Sequence, residues 1–135
     1  MFGALNLRTQ KFYWKQAITG NSKTFKEFLH QLHKAHPSKR LLIILDNGPI
    51  HKSLSIKRFV EKNNWVTLYF LPTYSPEYNP IERFWKWLKK SVYGAKAYSS
   101  IARLISKIRK IAWHYNENWL ITSIRFEFKK YEDLL

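Results

Sequence analysis

Five consecutive aliphatic residues, Leu41 to Leu45, run without a polar interruption from Arg40 into Asp46-Asn47-Gly48-Pro49. A run of that length, stopped by residues that favour turns, reads as a strand buried on both faces, as in a parallel sheet packed between helices. Parallel neighbours cannot be joined by a tight turn; they need a crossover, usually helical. The rest of the chain should therefore alternate strand with helix.

The periodicities agree. Phe2 to Leu7 and Lys11 to Lys15 are apolar or aromatic runs joined by polar Arg8-Thr9-Gln10, the pattern of a β-hairpin. From Thr24, the residues Phe25, Phe28, Leu29 and Leu32 recur at helical spacing and stop before Pro37, with Thr24 and Glu27 as a capping box. Ser55 to Asn63 forms a short helix, and Trp65 to Leu71 is β-rich and ends at Pro72. A proline-punctuated loop, Leu71 to Pro80, leads to two more helices. One carries the stripe Ile81, Phe84, Trp85, Leu88 and Val92; the other, after Gly94, carries Ile101, Leu104, Ile105, Ile108, Ala112 and Tyr115. The expected order is hairpin, helix, strand, helix, strand, helix, helix, in one continuous α/β unit without repeat or linker.

Composition narrows the partners. The 135 residues include 24 Lys and Arg against nine Asp and Glu, a formal net charge of +15. A compact chain so charged repels itself unless a polyanion screens it. Nucleic acid fits better than an anionic membrane, because the cations are scattered over an aromatic-rich globular sequence rather than gathered on one amphipathic helix. With no cysteine, disulfides, thiolate metal sites and cysteine nucleophiles are excluded. No apolar run approaches bilayer length and no signal core precedes Asn6 and Arg8, so a cytoplasmic protein is expected.

Two carboxylates stand out by position. Sites in open parallel sheets gather at the C-terminal ends of strands. Asp46 ends the aliphatic strand, and Glu82 opens the helix beyond the next one, so both could reach one edge of the sheet. Each also has a plain structural role open to it. Asp-Asn-Gly-Pro is strong turn chemistry by itself. Asn79, Pro80 and Glu82 form a helix-capping arrangement, and Lys86 lies one turn on as an ion-pair partner. Local spacing leaves these alternatives open.

The combined pattern is more specific. Leu45-Asp46-Asn47 with His51 five residues after the aspartate, followed by Leu71-Pro72-x-Tyr74-Ser75-Pro76-x-x-Asn79-Pro80-Ile81-Glu82, resembles the signature of mariner-type insertion-sequence transposases of the DDE endonuclease superfamily. The resemblance runs from about Phe2, with its Phe2-Gly3-Ala4-Leu5 start, to Tyr115. It implies a ribonuclease-H-like, retroviral-integrase-like α/β fold and two divalent ions, Mg2+ or Mn2+, held by three carboxylates for DNA strand cleavage and strand transfer. Asp46 would be the second ligand and Glu82 the third, with Asn47, His51 and Asn79 in support. The partners implied are DNA, as transposon ends and target, and a further transposase polypeptide or a second copy of this chain; no membrane is implied. A DNA-associated protein of a prokaryotic cytoplasm is the expectation.

The first ligand departs from the family pattern. There it lies on a central strand upstream of the hairpin, and here no aspartate precedes Asp46. Glu27 is the only acid before it and falls in the first turn of a helix, where capping explains it better. The expectation is thus an N-terminally truncated catalytic domain over residues 1–115, lacking the first central strand and the upstream helix-turn-helix, with 116–135 as a tail of no assigned function. It could be a truncated copy or the second frame of a frameshifted element. Alone it should not cleave DNA, and a catalytically inactive DNA-binding remnant or regulator of an intact transposase is the alternative. Arg83, Lys86, Lys89 and Lys90 lie off the apolar stripe of the Glu82 helix and are expected on the DNA backbone, with weaker claims for Lys107, Arg109 and Lys110. Most aromatics are expected in the core; Trp87 and Tyr74 are the better candidates for DNA contact.

Overall fold

A computed structural model describes residues 1–73, 79–93 and 98–118. Among these residues the expected elements appear in the expected order: β1 (Phe2–Leu5), β2 (Phe12–Lys15), α1 (Ser22–Ala35), β3 (Leu41–Leu45), α2 (Leu54–Lys62), β4 (Val66–Phe70), α3 (Pro80–Tyr93) and α4 (Ile101–Asn118). The molecule is a mixed α/β protein with small sheets: β1 pairs with β2, and β3 pairs with β4. The β3–β4 pair is parallel, with Leu41 opposite Val66 and Leu45 opposite Phe70, and α2 is the crossover.

Two compact units divide the described residues, one of residues 1–3, 13–73 and 79, the other of residues 4–12, 80–93 and 98–118. In the first, α1 and α2 cover one face of β3–β4. Phe25, Leu29, Leu45, Ile56 and Val66 form its buried centre, extended by Phe2, Ile43, Leu68 and Phe70. Side chains alternate along a strand, so Leu42 and Ile44 face the other way, level with Thr67 and Tyr69. That face is only half-covered: Leu42 and Ile44 are intermediate in burial and Tyr69 is 41% exposed. The expectation of a strand buried on both faces is therefore corrected. Leu45 alone in β3 is buried, because the helices of this unit pack on one side of a sheet of two strands.

The start of α1 also differs from the sequence reading. Asn21, not Thr24, is the N-cap: its Oδ1 accepts from Thr24 N–H at 3.0 Å and its own N–H donates to Thr24 Oγ1 at 3.1 Å. Thr24 is the third helical residue, and Glu27 instead pairs with Lys15 of β2 at 3.4 Å. The hairpin loop is longer than expected. Asn6 Oδ1 accepts from the N–H groups of Arg8 and Thr9, and Gln10 takes the left-handed conformation at φ 58. That strained backbone is held by burial of Gln10 and by its Nε2–H, which donates to Leu7 O at 3.0 Å.

The second unit is built on rings. Phe84 of α3 stacks on Phe12 with centroids 4.1 Å apart and meets Tyr115 of α4 edge-on at 4.9 Å. Leu88 and Val92 of α3 and Ile108 and Ala112 of α4 are buried with them. Asn116, which the sequence reading leaves in the tail, belongs to α4 and binds β2 through both ends of its amide. Its Oδ1 accepts from Phe12 N–H at 2.8 Å and its Nδ2–H donates to Phe12 O at 3.0 Å. Ser100 caps α4 by accepting from Arg103 N–H at 3.3 Å. Among the described residues no helix is long and apolar enough to cross a membrane.

Tyr115 is buried and its hydroxyl has no hydrogen-bond partner among the described residues. Burial pushes its pKa up to about 12 from 10.0. Between those values the folded chain holds a proton that the unfolded chain has released, so stability falls as pH rises through this window, by up to about 1.4 kcal/mol per pH unit. Tyr115→Phe is expected to remove this component, so that its urea stability declines less than the parent's between pH 8 and pH 11. At pH 7 the substitution should be neutral or stabilising by about 1 kcal/mol, since no bond is lost. Equal alkaline declines in the two proteins would show that this hydroxyl does not titrate late.

Candidate active site

Asp46 is the residue after β3, where the parallel pair ends. Its Oδ1 accepts from Gly48 N–H at 3.0 Å and lies 3.1 Å from His51 Nδ1. Oδ2 has no described partner, and the Asp46 side chain is 65% exposed. The carboxylate is thus fixed through one oxygen and open through the other. His51 is held from behind as well, its ring tilted on Phe25 of α1 at 4.7 Å. Its backbone N–H donates to Gly48 O at 3.0 Å, closing a turn that returns His51 onto Asp46.

Asn47 does another job. Its Nδ2–H donates to Leu71 O, while Leu71 N–H donates to Leu45 O at 2.9 Å, so the ends of β3 and β4 are tied together beside Asp46. Lys52 adds a cation at the same end of the sheet, its Nζ 5.5 Å from the ring centroid of Phe70. The structure therefore gathers Asp46, Asn47 and His51 in the first unit.

Gly48 is a participant that the sequence offers only as a turn residue. A Cβ there would lie 3.1 Å from Asp46 Oδ1 and 3.3 Å from His51 Nδ1, tighter than ordinary contact to both. Both neighbours are side-chain tips, so Gly48→Ala should cost little stability, below about 1 kcal/mol, while spreading the pair. In the parent, Asp46→Asn should shift the His51 imidazole nitrogen resonances; in the Gly48→Ala background that response should shrink. An undiminished response would mean that the pair tolerates the methyl group.

Glu82 lies in the first turn of α3, in the second unit, where a carboxylate complements the helix N-terminus. It is exposed, and among the described residues it forms no ion pair with Lys86. Asn79 directly precedes α3 and is buried. Arg83, Lys86, Lys89 and Lys90 are all exposed, off the face that buries Phe84, Leu88 and Val92. Trp87 is not a free surface ring: it packs on Phe84 at 5.4 Å and on Tyr115 at 5.7 Å. Among the described residues the exposed tryptophan is Trp113 on α4, at 65%. Tyr74, and the Tyr-Ser-Pro part of the signature, lie outside the described residues.

Asp46 and Glu82 are carboxylate donors suited to a hard divalent cation. Their number falls short of a complete set, and among the described residues no group of three His, Cys, Asp or Glu could hold a metal ion.

Comparison with known proteins supports the endonuclease superfamily to which that signature points. A relative from Shigella sonnei, the insertion element IS630 uncharacterized 39 kDa protein, is 31% identical over 111 residues. That match covers 79% of this chain and 32% of the relative, so the chain spans about a third of the protein it resembles. The family model described as DDE superfamily endonuclease matches residues 1–105, and the chain belongs to that family.

Proposed function

We propose that this chain supplies the second and third metal-binding carboxylates, Asp46 and Glu82, of a mariner-type transposase whose catalytic domain has the ribonuclease-H-like fold. The observation that carries the reading is the end of β3: an exposed carboxylate at the C-terminal end of a parallel strand, fixed by Gly48 and His51 through one oxygen only. The signature through Asn79 and Glu82 and the endonuclease family support it.

Asp46 and Glu82, joined by a third carboxylate, would hold two Mg2+ or Mn2+ ions, whose chemistry would be to activate a water or 3′-hydroxyl and stabilise the leaving oxygen of a phosphodiester. The chain's own residues do the rest. Asp46 offers Oδ2 as a ligand while His51 and Gly48 hold its orientation. Asn47 keeps the strand end rigid beneath it. Arg83, Lys86, Lys89 and Lys90 lower the cost of bringing a DNA backbone against a carboxylate site. In this reading the first carboxylate and the central strand that carries it belong to a polypeptide segment outside these residues, and the chain through α4 is one part of a catalytic domain.

A nicking assay on supercoiled DNA with Mg2+ or Mn2+ tests this. The chain alone should be inactive, the chain supplemented with a family segment bearing the first aspartate should nick, and Glu82→Gln should abolish the gain. Nicking by the chain alone that disappears in Asp46→Ala would refute the need for the segment. The +15 charge also suits a second reading, a DNA-binding remnant that regulates an intact transposase; inactivity in both arms with retained DNA binding would favour it.

A further inference from the structure

The outer face of α4 carries a row of like charge that its own fold leaves uncompensated. At about 100° per residue, Arg103, Lys107, Lys110 and His114 fall on one stripe, turned away from the face that buries Ile108, Ala112 and Tyr115. All four are exposed, and among the described residues none of the three cations is in an ion pair. Arg103 with Lys107, and Lys107 with Lys110, are neighbours at four and three residues, so like charges repel along the stripe. Arg103 also sits near the helix N-terminus, where α4 has no acidic residue in its first turn and where a cation opposes the helix dipole. A solvated surface helix ordinarily intersperses acids on such a face. In α4 the acid is Glu117, at the far end.

We infer that this stripe is a second DNA-backbone contact, separate from the lysines of α3, on which one strand of a duplex lies along α4. The inference rests on the reading of the chain as a DNA-acting protein. From Arg103 to Lys110 the stripe extends about 10 Å at 1.5 Å per residue, enough to meet about three successive phosphates of one strand at 3.4 Å each along the axis. Phosphates there neutralise the repulsion between the cations and the mismatch with the dipole. Asn118 Nδ2 lies 3.3 Å from His114 Nδ1 and anchors that ring at the end of the row. Trp113, beside the stripe and 65% exposed, offers an indole to a deoxyribose or an unpaired base.

The test is binding of the full chain to a labelled duplex of about 30 base pairs, long enough for several helical turns, by fluorescence anisotropy across a salt series without divalent metal. Arg103→Gln/Lys107→Gln/Lys110→Gln should weaken binding at least about tenfold near 0.1 M salt and reduce the slope of log affinity against log salt by about 2–3. A control of equal charge change, Lys23→Gln/Lys34→Gln/Lys39→Gln, should lose less than about threefold, and Arg103→Lys/Lys107→Arg/Lys110→Arg should bind as the parent does. Circular dichroism verifies that each variant is folded. Equal losses in the two glutamine triples would overturn the inference in favour of net charge, as would unchanged binding by the α4 triple. It is also overturned if that triple loses only binding to phosphatidylserine-containing vesicles. Because no metal is present, failure here leaves the nuclease reading standing, and failure of the nicking assay leaves this one standing.

Discussion

Phe84→Ala should destabilise the protein by about 3–5 kcal/mol, a large share of the roughly 5–15 kcal/mol that holds a domain folded. The ring is 0% exposed and touches three elements of its unit: Phe12 of β2 at 4.1 Å, Tyr115 of α4 at 4.9 Å, and Trp87 of its own helix at 5.4 Å. Alanine removes the partner of each contact at once. The remaining rings are too rigid to close the space, and their packing is fixed from outside by the Asn116 amide on the Phe12 backbone. Phe84→Leu, which keeps most of the volume, should lose clearly less. Trp113→Ala should change stability by no more than about 0.5 kcal/mol, because its ring is mainly in solvent. Urea unfolding of the three variants decides the matter. A loss below about 1 kcal/mol for Phe84→Ala would mean that this ring cluster is not what holds α3 to α4.

Element order was legible because hydrophobic period and turn chemistry agree along most of this chain. Leu41 to Leu45 reads as a strand because of its length and the Asp46-Asn47-Gly48-Pro49 stop, and Phe25, Phe28, Leu29 and Leu32 read as a helix face because of their spacing. Boundaries were less legible where several residues compete for one role. Asn21, Ser22 and Thr24 are all able to cap α1, and the apolar stripe beginning at Phe25 does not choose between them; the reciprocal bonds of Asn21 with Thr24 do. Burial of β3 was overestimated for a related reason. A continuous aliphatic run requires cover on two faces, but the cover comes from other elements, and α1 and α2 both pack on the side of Ile43 and Leu45.

The candidate site divides the same way. Asp46 stands out because chain position and residue type coincide at a strand end, whereas Gly48 does not, because what matters there is the space that its missing Cβ leaves between two side chains. The support of His51 by Phe25 joins residues far apart in sequence and needs the packed fold to be seen. Trp87, expected as a DNA-contact ring, and Trp113, which the sequence does not single out, differ in the same sense. Both lie off the obvious stripes, and only the approach of Tyr115 to Trp87 determines which ring is covered.

In the nicking reaction with the supplementing segment, Asp46→Asn is expected to lower the Mg2+-dependent rate by at least about a thousandfold, equivalent to about 4 kcal/mol of transition-state stabilisation. Asparagine keeps the shape of the side chain, and its Oδ1 can still accept from Gly48 N–H, so the turn and the β3–β4 junction are retained. What disappears is a negative charge on a hard oxygen ligand, and no neighbouring acid can replace it, since among the described residues no third candidate ligand stands nearby. His51→Ala should behave differently. His51 acts through Asp46, so its loss loosens a ligand without removing it, with a rate reduction of about 10- to 100-fold that high Mg2+ partly restores. Measuring the rate of each variant across a Mg2+ series separates the two roles. Restoration of Asp46→Asn by added metal, or a loss of less than tenfold, would remove Asp46 from the ligand set; a His51→Ala defect as deep as that of Asp46→Asn and equally insensitive to metal would make the histidine more than a positioning residue.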